Sequence, residues 1–249
     1  MKIYNASDGG ARIWYEKGEI EDLDEAELRA SDFYPTKDKP VVDLEGFVEE
    51  HLKAGLDPYA KLDRDVFGLT EFRRGRSPVV KLNEALTRAV VDADPKTVPA
   101  GLLGRWRATL AHEGSHVLLH KMLYEVSESQ GSLFDKPAED DEVESVQCLK
   151  RDVAYAGVAD WREYQANMGM AALMMPRQLF IEVAQEHCDL LGVELLMGEM
   201  ATDAAYRLSR GLARVFGVSG QAAEIRLKTL GFICAPGQQT LVVPENLVH

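Results

Sequence analysis

Leu110-Ala111-His112-Glu113-Gly114-Ser115-His116-Val117-Leu118-Leu119-His120 is the stretch on which the reading of this chain turns. It sets H-E-x-x-H inside an apolar run that suits a helix. His112 and His116 are four apart, so on a helix they project from one face and can grip a single cation. Neutral imidazole is a good zinc ligand, and two of them leave room for a third protein ligand and a water. Glu113 follows the first histidine, where it can take a proton from a water held at the metal.

Working outward, Pro99-Ala-Gly starts this helix, and Leu103, Trp106 and Leu110 give it a buried face. Past His120 the chain is polar and acidic from Ser127 to Ser145, which reads as a mobile loop or flap near the site. A second apolar helix is expected from about Trp161 to Met175, stopped by Pro176. Its methionines read as core filler. Pro176 can open the next helix, through about Leu191, and Thr202–Phe216 and Gln221–Leu230 read as two more around Gly-Val-Ser.

Upstream, Ala11–Glu16 suits a short strand, Ile20–Ala30 an acidic helix and Pro35–Pro40 a linker. Asp43 caps a helix with Leu44, Phe47, Val48 and Leu52 at helical spacing, ended by Gly55 and Pro58. Asp65–Phe72 and Ser77–Asn83 suit a hairpin around Arg-Arg-Gly-Arg, and the second strand could pair with an extended substrate segment.

A zinc hydrolase needs three protein ligands and one open position. The later candidates are His120, Asp160, Glu163, His187 and the acidic loop. Three ligands on one straight helix cannot readily surround an ion, so His120 reads as a histidine that supports a ligand from behind or packs beside it. Glu163 is the best placed, with Asn167 one turn on to orient its carboxylate. An acid in the first turn of a helix is equally explained by the helix dipole.

The totals narrow the function classes. A chain of 249 residues, 46% hydrophobic, can bury a core, and its net charge of −13 argues against broad nucleic-acid binding or a polybasic membrane surface. The first residues show no apolar signal region, and no apolar stretch is long enough to span a bilayer. Cys148, Cys188 and Cys234 stand at no metal-like spacing and read as reduced thiols of a cytoplasmic protein.

Two further stretches carry a resemblance. Ala111–His120, followed by Trp161-Arg-Glu-Tyr-Gln-Ala-Asn-Met-Gly-Met-Ala-Ala-Leu-Met-Met-Pro176, resembles the ImmA/IrrE family of metallo-endopeptidases, with H-E-x-G-H-x-L-L-H and then E-x-x-A-N-x-x-A-x-x-L-L-M-P. Pro40–Glu45, Val66–Phe72, Val215–Ser219 and Ile225–Gly231 extend the similarity in family order, across roughly residues 40 to 233. Two departures stand out: Gly114-Ser115 where the family usually has a large apolar residue then glycine, and Gly169-Met170 where it usually has an aromatic then alanine. Both remove bulk, and Met168 or Met170 is expected to refill the space.

The resemblance implies a mainly helical α+β fold: a zincin-like core with a small β-sheet, the HExxH helix and a helical C-terminal part. The corresponding domains are 1–39 as an N-terminal extension, 40–192 as the core and 193–249 as a helical region packed on it. It implies one Zn2+ per chain, with Mn2+ the alternative, held by His112, His116 and Glu163, with Glu113 as general base. Asn167, His120, Tyr164, Tyr124 and Tyr155 are the candidates for the second shell or for oxyanion stabilisation. The implied substrate is a helix-turn-helix repressor cleaved in trans, with no membrane partner and no direct nucleic-acid partner.

The alternative is a DNA-binding or antitoxin-like module with a vestigial metal site. Its basis is the base-rich segment Tyr206–Leu230, carrying Arg207, Arg210, Arg214, Arg226 and Lys228.

Overall fold

The structure, a computed structural model, describes residues 2–5, 11–73, 75–94, 96–129, 143–149, 161–192 and 202–233. The chain separates into two compact units, Met1–Tyr34 with Asp43–Leu173 and Pro35–Val42 with Met174–His249.

The first unit opens with a hairpin, β1 (Lys2–Asn5) antiparallel to β2 (Ala11–Trp14), followed by α1 (Lys17–Ala30). The Glu16 backbone N–H donates to the Glu19 side chain, closing a capping box at the start of α1. Ile13, Tyr15 and Ile20 are buried against Leu119, with Leu23, Leu123 and Met168 beside them. The N-terminal segment is thereby fastened to the helix that bears H-E-x-x-H.

Asp43 caps a single turn, α2 (Leu44–Gly46), as its sequence suggests. The helix then differs from expectation. Phe47–His51 is a wide π-turn in which the Leu52 N–H reaches the Phe47 carbonyl, and Gly55–Ala60 is a strand, β3, rather than a terminating loop. Pro58 fits there because β3 pairs only with β5 among the described residues, and the register shifts between Asp57 and Ala60. An edge strand with an irregularity has no need of the missing N–H.

The expected hairpin is present as β4 (Val66–Arg73) antiparallel to β5 (Val79–Asn83). α3 (Glu84–Arg88) follows directly, capped by Asn83, whose amide also donates to the Val66 carbonyl. A strand hidden in the acidic region, β6 (Val143–Leu149), pairs antiparallel with β4 and gives the order β3-β5-β4-β6. β5 is therefore bonded on both sides and has no edge to offer an extended substrate, which corrects the strand addition expected there. α4 (Ala100–Ser129) extends to the start of that region, and residues 130–142 lie outside the described residues. Trp106 and Leu110 are buried on α4 as expected, but Leu103 is exposed.

α5 (Trp161–Met174) closes the first unit and ends before Pro176. In the second unit, α6 (Arg177–Leu191), α7 (Thr202–Phe216) and α8 (Gly220–Thr229) bury Phe180, Val183, Leu208, Leu212, Phe216 and Leu227. Lys37, in the segment read as a linker, forms an ion pair with Glu186 of α6 at 2.6 Å. No helix among the described residues is long and apolar enough to cross a membrane.

Candidate metal centre

From Thr109 to Val117 every residue of α4 is buried, as for a helix covered on all sides. His112, Glu113, Ser115, His116 and His120 are all 0% exposed, so their polar atoms must find partners inside the fold. Those partners come from α5, β4 and α4 itself, where Ser115 Oγ donates to the Ala111 carbonyl.

α5 supplies Glu163, buried in the first turn of that helix. Its Oε2 lies 3.1 Å from His112 Nε2 and its Oε1 3.2 Å from His116 Nε2, while the two Nε2 atoms are 3.1 Å apart. One turn further along, Asn167 Oδ1 stands 3.1 Å from His112 Nδ1. An amide oxygen only accepts, so Nδ1 carries the proton and the Nε2 lone pair faces Glu163. The three ligand atoms lie within 4.8 Å of one another. Two imidazole nitrogens and a carboxylate converging in a buried place are a donor set that a divalent cation satisfies.

β4 supplies the setting of Glu113. Inward positions of the strand alternate as Val66, Gly68, Thr70 and Phe72, and all four are buried. Thr70 Oγ1 donates to Glu113 Oε2 at 2.6 Å. Glu113 Oε1 has no hydrogen-bond partner among the described residues. A methyl at Gly68 would stand 2.6 Å from that oxygen, so only glycine lets the strand come this close. Burial pushes the Glu113 carboxyl up to about 8, against the opposing influence of His112 and Thr70. Burial likewise holds His116 neutral, with its pKa lowered to about 4.

The remaining sequence candidates separate. His120 lies with its Nδ1 3.0 Å from His116 Nδ1 and its Nε2 3.1 Å from Gln165 Oε1, so both ring nitrogens are engaged. Tyr124 stacks on Phe72 with centroids 4.1 Å apart, and its hydroxyl accepts from Arg162 at 3.4 Å. Tyr164 is exposed and lies parallel to Trp14 at 6.4 Å. His187 bonds the Val183 carbonyl of its own helix. Tyr155, Asp160 and Cys234 lie outside the described residues. Cys188 is buried in α6, and Cys148 falls on β6 opposite Gly68.

Sequence reasoning missed Thr70 and Gln165. The available signal was a polar residue at the inward position of a strand and another inside an apolar helical run.

Three bases of the base-rich segment are engaged within their own unit. Arg226 is 0% exposed and its Nε donates to the Met175 carbonyl at 3.0 Å. Arg207 pairs with Asp203 and Lys228 with Glu224. A buried arginine cannot contact a phosphate, so Arg226 is withdrawn from any such role, while Arg210 and Arg214 of α7 remain exposed.

The family model described as the IrrE N-terminal-like domain of peptidase M78 matches residues 103–228, just over half of the chain. The chain belongs to this metallopeptidase family, and its fold is the mainly helical, zincin-like α+β type. The match spans α4 and α5, the two helices that bring His112, His116 and Glu163 together. No curated protein matches the sequence.

Proposed function

We propose that this protein is a zinc-dependent metallo-endopeptidase of the cytoplasm that cleaves a helix-turn-helix repressor in trans and so relieves repression of stress-response genes. One observation carries the catalytic part of the reading. His112, His116 and Glu163 converge in a buried cluster while Glu113, on the same helix, keeps a carboxylate oxygen without a partner among the described residues. Membership of a peptidase family makes a protein the substrate class, and the repressor follows from the resemblance to ImmA/IrrE.

His112 and His116 through Nε2, and Glu163 through its carboxylate, are the residues that would hold the ion. When bound, a divalent metal polarises the scissile carbonyl and lowers the pKa of the attacking water. Glu113 takes the proton from that water and passes it to the leaving amine. Thr70 fixes the plane of the Glu113 carboxylate, and Gly68 lets β4 lie against it. A carboxyl with its pKa near 8 suits a group that must both accept and return a proton near neutral pH.

Metal content of the purified protein is the first test, beside His112→Ala and Glu163→Ala. About one zinc per chain, lost in both variants, together with metal-dependent cleavage of a co-encoded repressor, is the expected result. A wild type that stays empty after zinc is added would overturn the reading.

A further inference from the structure

A line of buried hydrogen bonds leads away from His116 to the N-terminal hairpin. His116 Nδ1 meets His120 Nδ1 at 3.0 Å, His120 Nε2 meets Gln165 Oε1 at 3.1 Å, and Gln165 Nε2 donates to the Ile13 carbonyl at 3.1 Å. His116, His120 and Gln165 are each 0% exposed, so no bulk water can substitute for a missing partner.

The direction of every bond in this line is fixed from its far end. A backbone carbonyl can only accept, so Gln165 must turn its NH2 to Ile13 and its oxygen to His120. That oxygen also only accepts, so His120 carries its proton on Nε2 and presents a bare Nδ1 to His116. His116 must then carry its proton on Nδ1. Its Nε2 is left with a free lone pair, aimed at His112 Nε2 and Glu163 Oε1.

We infer that His120 and Gln165 are positioning residues that, anchored on the Ile13 carbonyl of β2, lock His116 as an Nε2 metal ligand. Asn167 does the same for His112 through a single bond, whereas His116 depends on three in series. The last acceptor belongs to a strand outside the residues matched by the family model. The N-terminal hairpin is thus part of the metal centre's support. This inference rests on the metallopeptidase reading for its consequence, but its geometry stands apart from it.

The test compares wild type, His120→Leu, His120→Gln, Gln165→Leu and the control Tyr206→Leu, an exposed position in the second unit. Zn2+ affinity is measured by chelator competition, and folding of each metal-free variant is checked by circular dichroism and thermal melting. A glutamine at 120 can accept from His116 and donate to Gln165, so it keeps the polarity of the line. The expected result is a loss in zinc affinity of roughly 10- to 100-fold for His120→Leu and Gln165→Leu, with His120→Gln and Tyr206→Leu within a few-fold of wild type. Equal affinity in all five would overturn the inference and leave the line as packing.

Tautomers read by long-range 1H–15N spectra of the imidazoles in the metal-free protein cover the case of leucine variants that fail to fold. His120 protonated on Nε2 supports the line, and His120 protonated on Nδ1 overturns it. A wild type that binds no zinc but shows the expected His120 tautomer would sink the metallopeptidase reading and leave the hydrogen-bond line standing.

Discussion

Thr70 and Glu113 are joined by a 2.6 Å hydrogen bond from a strand hydroxyl to a buried carboxylate. It is the only described bond to either oxygen of that side chain, because Glu113 Oε1 has no partner among the described residues. One neutral donor orients the carboxylate without supplying a charge that would hold it ionised. The acid stays poised between its two protonation states, and β4 sets its angle.

Replacing Thr70 by valine removes the donor with little change of shape. We expect kcat to fall by roughly 10-fold or more with KM nearly unchanged, since a proton-transfer group would lose its orientation. Thr70→Ser should restore most of the rate. Steady-state kinetics on a cleavable repressor, with zinc content confirmed equal, checks this.

Gly68→Ala acts on the same carboxylate from the other side. The added methyl would lie 2.6 Å from Glu113 Oε1 and 2.7 Å from Thr109 Cγ2, so strand and helix must part or the carboxylate must swing. Overpacking of this kind costs about 1–3 kcal/mol of stability. The expected signature is a loss of activity larger than the loss of zinc, read by assay and metal analysis on the same preparation.

The pH dependence of the metal-free protein follows from opposed shifts of a carboxyl and the histidines beside it. Glu113 is raised from 4.5 to about 8, so between these values the folded state holds the extra proton and stability falls as pH rises. His116 is lowered from 6.5 to about 4, so over that window the unfolded state binds more protons and stability rises with pH. Burial also holds His120 well below 6.5, so between pH 4.5 and 6.5 the two histidines outweigh Glu113 and stability rises with pH. Above that, Glu113 acts alone, and stability should drop on the order of 2 kcal/mol by pH 8. Urea unfolding of wild type and Glu113→Gln at pH 6.5 and 8 tests it. The decline should be absent from the variant.

The two departures from the family pattern meet in space. A methyl at Gly169 would stand 2.8 Å from Ser115 Oγ, so the serine on α4 occupies room that the glycine on α5 leaves. Bulk is exchanged between the helices rather than removed from both, which corrects the expectation, and Met168 packs instead on the cluster around Ile13 and Leu119. Gly169→Ala alone should destabilise by about 1–3 kcal/mol. With Ser115→Gly added, the extra cost should largely vanish, giving a coupling of about 1 kcal/mol or more in a double-mutant cycle by denaturant unfolding.

Elements with a strong local signal were legible in the sequence. The H-E-x-x-H helix, the β4–β5 hairpin, the Pro176 break and the helices after it each follow from periodicity, capping or a proline. Glu163 was one of several candidates until the resemblance selected it, because a carboxylate from a distant helix leaves no local mark. β3 was hidden by Pro58, which reads as a breaker unless the strand is known to be an edge. β6 was hidden by acidic residues whose strand character comes from pairing with β4. Gln165 was beyond reach for a different reason. It lies two residues from Glu163, off that residue's face, and its role depends on a backbone carbonyl 152 positions away.

That separation also bears on how the chain reaches its native state. The hairpin β1–β2 leaves the ribosome before α4 and α5, and the amide that grips Ile13 is synthesised 152 residues later. Such a closure is among the most expensive in loop entropy and belongs to the late steps of folding. Nascent chains therefore carry the hairpin undocked until α5 has emerged, with its apolar Ile13 and Tyr15 still facing water. Newly made protein would acquire its full grip on metal only after this hairpin comes back to lie along α4 and α5.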